Sequence, residues 1–178
     1  QTFFSDQDYQ LYIDLLTHWC ARYKVEILAY CLMPNHVHLI AVPKSSKGIS
    51  SAIAETHQRY TRHINFREGW RGHLWQGRFA SYLMDEKHLL TAARYIELNP
   101  VKANMVSNPE DYRWSSAKAH LCGLDDKLVK VSALLDFIPN WREFLSQSVS
   151  DSEERKILLH EGTGRPVGDE GFISKLET

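Results

Sequence analysis

Two runs of strand-forming residues stand on either side of a very short link. Val25 to Leu32 (V-E-I-L-A-Y-C-L) and His36 to Val42 (H-V-H-L-I-A-V) are separated only by Met33-Pro34-Asn35. Pro and Asn favour a turn, and parallel strands need a crossover of a dozen residues or more, so a link this short joins antiparallel neighbours. A β-hairpin near the start of the chain is the constraint around which everything else must be arranged.

The flanking segments read as helices. Ser5 is a good N-cap, with Asp8 at the capping-box position, and Leu11, Ile13, Leu16, Trp19 and Tyr23 recur near helical period, predicting a helix over 6–23. A second helix is predicted over about 49–66, after the polar loop from Pro43 to Gly48. Gly69, Gly72 and Gly77 interrupt the chain, and Phe79 to Met84 (F-A-S-Y-L-M) reads as a further strand. Asp85 caps a third helix over 86–98, which Asn99-Pro100 ends. A turn over Asn108–Asp111 and a short helix over Trp114–Leu121 follow.

The order helix, strand, strand, helix, strand, helix defines an α+β chain. It matches a ferredoxin-like split βαβ fold with an antiparallel sheet, short of a first strand that would precede Gln1. Residues 143–178 carry eight acids and four bases, a net of −4, and read as part of a small helical appendage with two or three short helices. The division expected is a main α+β domain over 1–122 and a helical C-terminal appendage over 123–178.

Composition excludes several classes. With 178 residues, 43% of them apolar and 11% aromatic, the chain can bury a core without staples. A net charge of −1 rules out a broadly polybasic binder but leaves room for a local basic patch. No run of 18 apolar residues spans a membrane, and the opening Gln-Thr-Phe-Phe-Ser-Asp is neither a signal nor a transit peptide. Cys20, Cys31 and Cys122 form no CxxC and read as thiols of a reducing compartment.

Three features carry chemistry. In a strand, His36 and His38 leave the same face, with Cα atoms about 6.7 Å apart, so two imidazoles can converge on one ion. Tyr95 and Asn99 share a helix face four residues apart, offering a phenol and a neutral oxygen ligand. From His57 to Arg78 five arginines face one acid, with Tyr60, Phe66, Trp70 and Trp75 between them. That is the chemistry of a groove for single-stranded nucleic acid. Each feature also has a structural reading: paired strand histidines, an amphipathic helix with its C-terminal Asn, and a solvated basic face over core tryptophans.

Leu32-Met33-Pro34-Asn35-His36-Val37-His38-Leu39-Ile40 resembles the histidine-hydrophobe-histidine motif of single-tyrosine transposases. Gly72–Phe79 (G-H-L-W-Q-G-R-F), Tyr95–Ala103 (Y-I-E-L-N-P-V-K-A) and Tyr112–Ser116 (Y-R-W-S-S) match further blocks in the same order, with a weaker echo at Thr163–Gly168. Together, from about Phe3 to Ala119, they resemble the REP-associated tyrosine transposases, a branch of the insertion-sequence single-tyrosine transposases.

The resemblance implies His36, His38 and Asn99 as ligands of Mg²⁺ or Mn²⁺ and Tyr95 as nucleophile. It implies single-stranded DNA beside a hairpin as substrate, a protein of the bacterial cytoplasm, and a monomer over a homodimer. Candidates for contacting the DNA are Arg59, Arg62, Trp70, Arg71, Trp75, Arg78 and Lys102. Glu97 stands where relatives often carry His; two residues from Tyr95, it is expected to face elsewhere. The C-terminal end is acidic where relatives carry a basic tail. Two other readings compete: a hairpin-binding module without catalysis, and a zinc-dependent hydrolase using Cys31, His36 and His38.

Overall fold

A computed structural model of the chain describes residues 1–77, 79–147, 155, 157, 159 and 164–176. Helix α1 runs over Asp6–Tyr23. The Asp8 carboxylate accepts the backbone N–H groups of Phe4 (2.9 Å) and Ser5 (3.0 Å), tying down the entry to the helix. Lys24, at φ 55°, turns the chain out of the helix into strand β1 (Val25–Met33), which pairs antiparallel with β2 (His36–Pro43). The hairpin is the expected one. Its register sets Met33 opposite His36, Leu32 opposite Val37 and Cys31 opposite His38, with a bulge between Ile27 and Ala29. Its turn is pinned from outside: Pro34 C=O accepts the N–H groups of Thr2 (2.8 Å) and Phe3 (3.1 Å).

Helix α2 (Gly48–Glu68) buries Ala52, Ile53, Thr56, Tyr60 and Ile64, the spacing of one helical stripe, and packs along α1. Helix α3 (Glu86–Lys102) is capped by Asp85, whose carboxylate accepts the N–H of His88 at 2.9 Å. It does not stop at Asn99-Pro100, as expected, but runs through to Lys102. Pro100 lacks the N–H that would bond Ile96, a small loss so near the helix end. Asn99 C=O still accepts from Ala103 (2.9 Å), and Asn104 at φ 54° makes the stop instead.

The expected strand at 79–84 does not form, and the sheet among the described residues has two strands rather than a closed ferredoxin-like set. The outer edge of β1, where a further strand would pair, is already taken. Leu32 N–H donates to Trp114 C=O (2.9 Å), Ser116 N–H donates to Tyr30 C=O (3.0 Å), and Ser115 bridges Cys31 antiparallel. Because 114–116 is spent on this edge, the helix expected from Trp114 begins later, as α4 (Ala117–Cys122). The 79–84 stretch finds one short partner: Met84 bridges Val167, and Val167 N–H donates to Leu83 C=O at 2.8 Å.

Beyond Gly123 lie the short helices α5 (Ser132–Leu135), α6 (Trp141–Ser146) and α7 (Glu170–Leu176). Val129, Leu134, Trp141, Phe144 and Leu145 join the same buried cluster as the hairpin and α1. Among the described residues no helix is long and apolar enough to cross a membrane.

Candidate active site

Strand alternation puts His36 and His38 on one face of the hairpin, and α3 lies against that face. The Nε2 atoms of the two imidazoles are 3.0 Å apart, and the Asn99 side-chain amide is 3.2 Å from His38 Nε2. Tyr95, one turn before Asn99, is buried and presents its ring edge-on to His38, with centroids 5.8 Å apart. Lys102 closes the group, its ammonium 5.4 Å from the Tyr95 ring centroid. Five residues distant in sequence are thus brought together by one hairpin and one helix.

The hydrogen atoms of this group bear on what it can hold. Asn35 Oδ1 lies 2.7 Å from His36 Nδ1 and accepts its proton, which leaves a lone pair on His36 Nε2. The Asn99 amide stands 3.2 Å from His38 Nε2, and which of its two ends faces the ring sets whether that nitrogen accepts or donates. The two Nε2 atoms face each other at 3.0 Å, and with His38 protonated on Nδ1 both lone pairs are open to a cation. The imidazole spacing is short enough for both nitrogens to bind one ion. A half-turn of the Asn99 amide adds an oxygen to the set. Among the described residues no group of three His, Cys, Asp or Glu side chains could hold a metal. Cys31 is fully buried, and burial pushes its thiol far above the ordinary range, with the Glu97 charge adding to the effect. Although it lies opposite His38 in the hairpin, Cys31 does not form with His36 and His38 a group that could hold zinc.

The proposed DNA contacts fall out differently. Arg59 and Arg62 line a shallow surface hollow of about 460 Å³ with Gln58, Thr61 and Asn65. Arg59 also bonds Glu55 at 3.2 Å and lies 4.7 Å from the Trp19 ring. Arg71 is exposed. Trp70 is 48% exposed, its ring edge-on to Phe4. Trp75 instead stacks flat on His57, 3.8 Å between centroids, and packs against the buried core. Burial pushes the His57 imidazole down to about 4, so it stays neutral, and its Nε2 shares a 3.0 Å hydrogen bond with the Tyr12 hydroxyl. Arg78 lies outside the described residues.

Two residues beside these sites were not among the expected ligands or DNA contacts, although Phe66 was named with the aromatics of the basic stretch. Asn35 orients His36, and only its position beside the motif hinted at that. Phe66 is 90% exposed beside Arg59, Arg62 and His63; its place among the arginines was the available signal. Glu97 faces away from the histidines, as expected, and is fully buried.

A hairpin bearing His-x-His thus meets a Tyr-x-x-x-Asn helix on one face. The profile of IS200-like transposases matches residues 1–99, and the chain belongs to that family. A protein of Haemophilus influenzae (strain ATCC 51907 / DSM 11121 / KW20 / Rd), named for the REP-associated tyrosine transposases, is 31% identical over 108 residues. That alignment takes in 54% of this chain and 61% of the relative. The chain spans about three fifths of the length of that curated relative. No solved structure matches.

Proposed function

We propose that the chain is a metal-dependent single-strand DNA endonuclease and strand transferase that acts beside hairpin DNA through a 5′-phosphotyrosine. The observation that carries this reading is the convergence of His36, His38 and Asn99 with the ring of Tyr95 against His38. Family membership supports a transposase-type activity in general.

His36, His38 and Asn99 would hold the ion. Their two imidazoles suit Mn²⁺ better than Mg²⁺, which prefers oxygen. Such an ion, when bound, neutralises a non-bridging phosphate oxygen and orients the phosphate for in-line attack. Tyr95 Oη attacks phosphorus; the Oη–P bond forms as the P–O3′ bond breaks. The phenolic proton is lost and the departing 3′-oxygen takes one up, so charge and atoms balance. Lys102, beside the Tyr95 ring, favours the phenolate by its charge. One phosphodiester replaces another, so a second 3′-OH can reverse the step and reseal a strand without ATP.

Arg59, Arg62 and Arg71 would clamp phosphates, and Trp70 would stack a base. Trp75, held against His57, is the weakest of the original candidates for a base contact. Both histidines, the tyrosine and the asparagine come from one chain, which supports a monomer as the working unit.

The test is covalent capture. The protein is incubated with 3′-end-labelled hairpin DNA and Mn²⁺ or EDTA, alongside Tyr95→Phe. A labelled protein band requiring both the metal and Tyr95 is expected. Hairpin binding with no adduct would replace this reading with that of a binding module.

A further inference from the structure

Between Tyr95 and Asn99, on the opposite side of α3, lies a carboxylate with no water to solvate it. At about 100° per residue, Glu97 points some 160° away from both. It is 0% exposed. Its Oε1 accepts the Ser116 hydroxyl and His120 Nδ1–H, both at 2.6 Å, and its Oε2 accepts the Trp141 indole N–H at 2.7 Å. A buried carboxylate survives only when its lone pairs are taken up in this way.

The donors come from three places. Ser116 lies on the segment that closes the edge of β1, where its Oγ also accepts Tyr30 N–H at 3.0 Å. His120 is on α4 and Trp141 on α6. Tyr30 adjoins Cys31, the cross-strand neighbour of His38. A short chain of bonds therefore runs from the back of α3, through Ser116, to the strand paired with the one that carries the metal-ligand candidates.

We infer that Glu97 is a positioning residue. Its carboxylate fixes the rotation and height of α3 against the hairpin, and so the placement of Tyr95 and Asn99 relative to His36 and His38. Glu97 touches neither substrate nor ion. A misplacement of about 1 Å at a reacting group costs on the order of a hundredfold in rate, so the clamp matters to chemistry more than to binding. This inference rests on the reading of Tyr95 as nucleophile and Asn99 as ligand.

Glu97→Gln is the informative variant, because it keeps the shape while its amide can no longer accept from all three donors. Four measurements are made on the full chain: adduct rate with hairpin DNA, hairpin Kd, Mn²⁺ affinity by electron paramagnetic resonance, and Tm. The expectation is a fall in adduct rate of about tenfold or more and in Mn²⁺ affinity of about threefold, with hairpin Kd within about twofold. Wild-type adduct rate and Mn²⁺ affinity would overturn the inference. So would a loss of hairpin binding and Tm in step with rate, since an ordinary core group would give that. Ser116→Ala serves if Glu97→Gln does not fold, with the same readings. If wild-type protein makes no adduct, the nucleophile reading fails, and the Mn²⁺ affinity of Glu97→Gln still decides the positioning role.

Discussion

His36 and Asn35, neighbours in the hairpin turn, are joined by a 2.7 Å hydrogen bond between ring Nδ1 and amide oxygen. That bond selects the tautomer whose Nε2 lone pair faces His38. Losing such an outer partner typically weakens metal binding by about 10–100-fold. Asn35→Ala is expected to lower Mn²⁺ affinity by about tenfold while leaving hairpin DNA affinity in EDTA unchanged. Titration by calorimetry checks this; equal affinity would show that His36 needs no such help.

Tyr95→Phe removes only the hydroxyl and keeps the ring against His38. The expected outcome is complete loss of adduct with hairpin affinity and Tm nearly unchanged. A persistent adduct would point to another nucleophile.

How far could such a site be read without coordinates? The hairpin, α1, α2 and the His-x-His face were legible because period-2 and period-3.6 patterns act locally. Tyr95 and Asn99 were legible as a pair on one helix face. The failures are non-local. Phe79–Met84 has the composition of a strand, but whether it pairs depends on which edge is open, and Tyr112–Ser116 had closed the edge of β1. Pro100 looked like a stop because the rule for proline is local, while the helix end is held by contacts further on. Trp75 carries a stacking ring, but only its burial against His57 and the tyrosines tells which partner it stacks on.

The neutral His57 makes stability depend on acid. Its folded-state value, about 4, lies below the ordinary 6.5, so between these pH values the unfolded chain binds more protons. Stability is therefore lost as pH falls from about 6.5 towards 4, by up to about 3 kcal/mol. Urea denaturation across this range is expected to show that slope in wild type and to lose most of it in His57→Gln, whose amide oxygen can still accept from Tyr12.

Asp8 titrates lower. Burial pushes its carboxyl up, but the Arg67 guanidinium and the N–H groups of Phe4 and Ser5 outweigh that and hold it below the usual carboxylate value. Its contribution is present at neutral pH and lost as pH falls through the acid range. Arg67→Met leaves a buried charge with backbone donors alone. It is expected to cost about 2 kcal/mol, less than a fully buried pair because Arg67 is partly exposed. An unchanged urea midpoint would contradict the role given to this pair.

Gly168 sits where the C-terminal segment meets the cap of α3. A Cβ there would lie 2.2 Å from the Phe172 ring and 3.1 Å from Asp85 Oδ2. Gly168→Ala is expected to loosen residues 164–176 from Asp85, raising their cleavage by a nonspecific protease while the hairpin stays protected. Equal cleavage in both proteins would mean that the segment absorbs the methyl group.

The covering of the β1 edge bears on how such a gene can be cut and moved. The family signature ends at residue 99, but the backbone groups of Tyr30 and Leu32 find their partners at Trp114 and Ser116. A fragment carrying the signature alone would expose a flat row of unmet donors and acceptors, which other strands readily capture. The unit that recombination can transplant intact is therefore longer than the unit that sequence comparison recognises, and splicing at the shorter boundary would yield aggregates rather than a folded domain.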